Sequence, residues 1–143
     1  MHGRIWLALG VLACSLGAYA DIGRVKASTG EAFIERGGQR IPASPGLPLE
    51  ESDALVTGKD STLSVTFIDN TRFSAGPGSR VELSRFRFDP TTHEGAFETR
   101  VSKGSLAMIS GQIAKGGQDA MRVRTPSSIL GVRGTKFVVD VGQ

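Results

Sequence analysis

TLSVTFIDNTRF, residues 62–73, decides how this chain folds. Leu63, Val65 and Phe67 fall on one side of an extended backbone and Ser64 and Thr66 on the other, the two-residue period of a half-buried strand. Asp69 and Asn70 tolerate the left-handed conformation that a tight hairpin turn requires. Thr71-Arg72-Phe73 then supplies a returning strand.

The same grammar extends in both directions. Toward the N-terminus, Glu31 to Arg36 reads as a strand, Gly37-Gly38 as a tight turn and Gln39-Arg40-Ile41 as its return. Residues 42–51 carry three prolines and a glycine, and are expected to form an irregular connection, because proline cannot donate to a sheet ladder. Toward the C-terminus, Gly76-Pro77-Gly78 breaks the chain. Val81 and Leu83 share one face, whereas Phe86 and Phe88 have the opposite parity, so a bulge is expected near Ser84-Arg85. Phe97, Thr99 and Val101 alternate with charged residues, and Leu106 and Met108 continue the pattern. Residues 110–120 read as an exposed, glycine-rich loop. Met121, Val123 and Thr125 lead to Pro126, and Phe137, Val139 and Val141 form a closing strand. No window after Ala20 shows a helical period. These features predict one all-β domain over residues 21–143, and periodicity alone leaves sandwich, barrel and solenoid open.

The first twenty residues are a separate object. Arg4 precedes a short apolar run, and Ala18-Tyr19-Ala20 ends it, the pattern of a secretory signal cleaved after Ala20. The run is shorter than the roughly 20 apolar residues that span a bilayer comfortably. Two alternatives stand beside cleavage: an uncleaved N-terminal anchor, and lipidation at Cys14, where Val11-Leu12-Ala13-Cys14 loosely matches a lipobox. A mature start at Asp21 removes the one cysteine of the chain and Arg4, leaving 16 basic residues against 14 acidic. That near-neutral balance gives no field for nucleic acid. The expectation is an exported protein, periplasmic in the first instance, with secreted or lipid-anchored forms as alternatives.

Reactive constellations are scarce. His93 is the only histidine after residue 20 and stands in a loop without a positioned nucleophile, so neither catalysis nor a cofactor is expected. One histidine, no thiol and scattered carboxylates supply no metal shell. Gly58-Lys59-Asp60-Ser61 lacks the upstream glycine and following hydroxyl of a phosphate loop and reads as a turn. Arg85-Phe86-Arg87-Phe88 interleaves cations and aromatics, as a polyanion platform does and as any strand with one wet face must. Arg122, Arg124, Arg133 and Lys136 form a second basic set.

Taken in order, several segments resemble the FecR domain, over about Gly23 to Val141. They are Gly30-Glu31-Ala32-Phe33, Asp53 to Gly58, Phe67 to Thr71, Gly78 to Leu83 and Lys103-Gly104-Ser105-Leu106. They end with Val123-Arg124-Thr125-Pro126 and Val132-Arg133-Gly134-Thr135-Lys136-Phe137. The resemblance implies an all-β fold, a twisted β-sandwich or β-solenoid-like stack, without a catalytic centre. In it Thr125, Pro126, Arg133, Gly134 and Thr135 are structural. Ser52 and Asn70 stand where the family pattern prefers glycine, so the turn at Ser52 is expected to differ. Regulators of the ferric-citrate type place a sigma-factor-binding segment and a membrane helix before the domain. Here a signal precedes it, and direct sigma-factor control is not expected.

Related domains continue past the last β-run, whereas this sequence ends at Gly142-Gln143, a domain either short or incomplete. A strand from Phe137 through Val138, Val139 and Asp140 to Val141 with no following hairpin leaves an open sheet edge. A protein partner in the envelope, or a second copy, can complete such an edge, and Val139→Pro is expected to abolish association of that kind yet leave a folded monomer. The functional expectation is a non-enzymatic protein–protein contact module in envelope signalling or organisation. Its alternative is glycan or polyanion binding through Arg85, Arg87, Arg122 and Arg124.

Overall fold

The computed structural model describes residues 21–117, 119–132 and 136–142. Twelve strands follow one another. The first six are β1 (Gly23–Thr29), β2 (Ala32–Arg36), β3 (Gln39–Pro42), β4 (Pro48–Leu49), β5 (Ala54–Thr57) and β6 (Thr62–Phe67). The rest are β7 (Arg72–Ala75), β8 (Arg80–Phe88), β9 (Gly95–Ile109), β10 (Met121–Arg124), β11 (Ile129–Gly131) and β12 (Lys136–Gly142). The 62–73 hairpin forms as the alternation requires, with Val65 opposite Phe73 and Asn70 at φ 71° in the turn.

The strands form one curled sheet ordered β3-β2-β5-β8-β9-β7-β6-β1-β4, with β10 and β12 also pairing to β9. Strand β9 belongs to two halves. Its first part lies between β8 and β10, and its second between β7 and β12. Pairing is antiparallel except between β10 and β9, so the stacked parallel coils of a solenoid do not occur among the described residues. The sandwich-like form of the expectation holds, with one strand turning the corner between the halves.

That corner is at Gly104, whose φ of 75° is open to glycine at little cost. Its α-carbon lies so close to Ser79 that a Cβ would fall 2.6 Å from the Ser79 Cα. Inside the curl, Phe67 and Phe73 from one half meet Phe86 and Phe97 from the other. Ring centroids are 4.8 Å apart for Phe67–Phe97 and Phe86–Phe97, both edge-on, the arrangement that the ring quadrupoles favour. Leu55, Leu63, Leu83, Val101, Leu106 and Met121 complete a core that is closed to solvent.

Parity sets who enters it. Val81 and Leu83 are buried, and the ladder between β8 and β9 slips between Glu82 and Arg85. Phe86 is thereby returned to the core at 6% exposure, and the expected bulge is present. Three expectations need correction. Residues 110–120 are not simply an exposed loop: a 3-10 helix, Ile113–Gly116, buries Ile113 and Ala114. The 42–51 connection contains the two-residue strand β4, with Leu49 fully buried. The turn at Ser52 keeps left-handed geometry, φ 74°, although the residue is serine.

Buried polar groups tie the corners. Asp69, fully buried, accepts from Thr71 N at 3.0 Å, Thr71 Oγ1 at 2.7 Å and Ile113 N at 3.2 Å. Asp53, 1% exposed, takes both arms of Arg36, Nε to Oδ1 at 2.8 Å and Nη2 to Oδ2 at 2.7 Å. Asp53 Oδ2 also accepts from Glu50 N, and the pairing with Asp53 raises the Arg36 pKa. A half-buried pair joins Glu35 to Arg80, with Arg40 as a second cation. The hydrogen bond from Arg80 holds the Glu35 carboxyl below the usual carboxylate range.

Gly104→Ala is expected to destabilise by about 2–4 kcal/mol in urea unfolding, combining left-handed strain with the Ser79 collision. Ser52→Gly relieves strain without a new contact and should raise stability by about 0.5–1 kcal/mol. Because the Glu35 pKa is lowered on folding, its contribution is present above the ordinary value and lost as pH falls through the lowered one. Stability should therefore drop below about pH 4. Glu35→Gln should flatten that part of the pH profile.

Candidate docking edge and the faces beside it

Strand β12 pairs with β9 alone among the described residues: Phe137 opposite Met108, Val138 opposite Ala107, Val139 opposite Leu106 and Asp140 opposite Ser105. Which of its backbone groups are spent on that ladder follows from Ser105. The Ser105 N–H donates to Ser79 Oγ at 3.0 Å, and its carbonyl accepts from Gly76 N at 3.0 Å, both on the β7 side. Backbone groups alternate along a strand, so Leu106 and Met108 turn toward β12 and bond Val139 and Phe137. Lys136, Val138 and Asp140 then present their N–H and C=O groups at the free edge.

Side chains alternate as well. Val139 is 6% exposed and joins the core, Phe137 and Val141 pack partly against it, and Val138 is 71% exposed. Val139→Pro is therefore the wrong probe of the edge, since it removes a ladder bond and a core side chain together. Along the edge runs a groove of about 450 Å³, lined on one side by Phe137 to Val141 and on the other by Thr125, Pro126, Ser128 and Leu130. Thr125 N donates to the Ser128 carbonyl at 2.9 Å, closing the turn between β10 and β11. Arg133, Gly134 and Thr135, singled out in the sequence, lie outside the described residues, as do Cys14 and the signal segment.

Arg85 and Arg87 of the first basic set meet Arg122 and Arg124 of the second on one outer face, whereas Lys136 lies apart on β12. Arg85 lies opposite Glu98 in β9, and Arg122 lies opposite the same Glu98 from the other side. Arg124 lies opposite Arg100, a cation that the sequence hid inside an ordinary alternating strand. The face is not uniformly basic. Arg124 pairs with Glu98 at 3.5 Å and Arg122 with Asp119 at 3.2 Å, while Arg85, Arg87 and Arg100 form no ion pair among the described residues.

His93 has φ 62° and stacks on Phe88, ring centroids 6.2 Å apart. It lines a shallow cleft with Gln112 and Lys115. Among the described residues, no group of three or more His, Cys, Asp or Glu side chains could hold a metal ion.

With the sheet and its edges in view, comparison with known proteins gives one match, the family described as FecR protein, over residues 53–143. That is more than half of the chain, and the protein belongs to the FecR family. The matched part begins at Asp53, whereas β1 to β4 precede it and are built into the same sheet. No curated protein and no solved structure matches the chain.

Proposed function

We propose that this FecR-family protein is an exported, non-enzymatic contact module of the cell envelope, taking a strand from a protein partner or a second copy against β12. The observation that carries the reading is the free edge itself. Lys136, Val138 and Asp140 turn backbone groups outward that have no partner among the described residues, along a groove whose other wall is the Thr125–Ser128 turn. Such edges bind by main-chain hydrogen bonds, with alternate side chains giving selectivity. Val138, largely exposed, offers the apolar contact. The N-terminal signal pattern and the FecR family support export and a role in envelope signalling or organisation.

A second reading is retained because Arg85, Arg87 and Arg100 stand unpaired on one face: binding of an envelope glycan or polyanion. Glu82 and Glu98 interrupt that face, which weakens its field.

Val138→Pro separates the readings. It removes a donor that points away from β9 and a side chain outside the core, so the fold should persist. The variant is expected to melt within a few degrees of the wild type yet lose co-purification and chemical cross-linking of envelope proteins. Full association by folded Val138→Pro protein would reject the edge. Loss of binding only on raising salt, or on Arg85→Gln/Arg87→Gln, would favour the polyanion reading.

A further inference from the structure

The outer face of the half-sheet β1-β6-β7-β9-β12 carries a second feature, which shares Phe137 and Val138 with the edge groove. Register places Val138, Ala107, Ser74 and Ser64 in one row across four strands. All but Val138 are small, so the row is low. A parallel row, Lys136, Ile109, Arg72 and Thr66, stands beside it. The bulge between Val25 and Ala27 adds Lys26 at the β1 end. These residues line a trough of about 420 Å³ that runs across the strands.

Its chemistry is one-sided. Lys26, Arg72 and Lys136 line it, and no carboxylate does. None of the three forms an ion pair among the described residues. Thr66 contributes its methyl side to the floor, since its Oγ1 is shielded from solvent and has no hydrogen-bond partner among the described residues. Ile109 and Val138, 40% and 71% exposed, give the β12 end an aliphatic wall, with Lys136, the register partner of Ile109, at that same end.

The direction of the trough selects the occupant. A peptide laid across a sheet face meets side chains rather than a strand's backbone, so it gains none of the main-chain ladder that an edge supplies. An alkyl chain requires no such ladder. We propose that the trough binds a single-chain aliphatic carboxylate, its head at Lys26 and Arg72 and its tail over Ala107, Ile109 and Val138. Three strand spacings are about 14 Å, which accommodates roughly ten carbons. The Arg72 fork offers paired N–H donors to the two carboxylate oxygens.

Titration calorimetry of the full mature protein with dodecanoate, below its micellar concentration, tests this. One saturable site with a negative heat-capacity change is expected, and butyrate, which has the head without the tail, should not bind. Lys26→Gln/Arg72→Gln should weaken dodecanoate at least about tenfold and remove its salt dependence. Ala107→Trp, which fills the trough from an exposed position, should abolish binding at unchanged melting temperature. Should Ala107→Trp unfold, Ser74→Tyr on the neighbouring strand does the same task. Absence of a saturable site, dodecanol binding as tightly as dodecanoate, or retained binding in the folded blocking variants would each overturn the proposal. So would stoichiometric displacement by an alternating Glu-Val peptide, which would make the trough a peptide site. Val138 belongs to both sites, so Val138→Pro is not used here. Lys26→Gln/Arg72→Gln, which leaves β12 untouched, should lose dodecanoate while keeping envelope partners, and loss of both together would join the two sites into one.

Discussion

The structure depends on one strand that serves two half-sheets. β9 can do so because Gly104 lets the backbone turn where Ser79 leaves no space for a side chain, and because Ser79 Oγ bonds both backbone groups of Ser105 just beyond the turn. Once β9 has turned, the halves face each other, and Phe67, Phe73, Phe86 and Phe97 can meet between them. The aromatic contacts supply burial, while the corner determines which residues are close enough to be buried together. A bend of this kind makes the two halves interdependent, so the edge at β12 is only as well placed as the corner that begins its ladder.

Most of the strongly interacting polar residues are consumed by the fold. Asp69 joins the 67–71 turn to the segment after β9 through three donors, and Asp53 with Arg36 locks the turn that carries the strained Ser52. Neither carboxylate is available to a ligand, since removing its partners would leave a buried charge unsatisfied. What is left outside is a strand edge, a mixed basic face, and a trough whose cations form no ion pair among the described residues.

The parity of alternating residues revealed the bulge at residues 82–85 and the wet and dry sides of β6 and β10. It did not reveal the 3-10 helix at 113–116, because two buried residues among glycines and polar groups make no period. Nor did it join Arg85, Arg100 and Arg122. Their positions in β8, β9 and β10 are unrelated in sequence, and only the ladder registers bring them to one face. The trough was invisible for the same reason. One alanine and two serines on three strands look like ordinary outward residues until cross-strand pairing puts them in one line.

The order of apolar and polar residues by itself determined that the chain forms strands, where most turns fall, and which side of each strand seeks the core. Those are local properties, set by a two-residue period and by the conformations that glycine, asparagine and proline permit. Tertiary structure decided which strands are neighbours, which backbone groups of β12 stay unpaired, and which cations lack acidic partners. Those outcomes rest on non-local registers, set jointly by the Gly104 bend and by the aromatic packing that it allows, and no short window of sequence contains them.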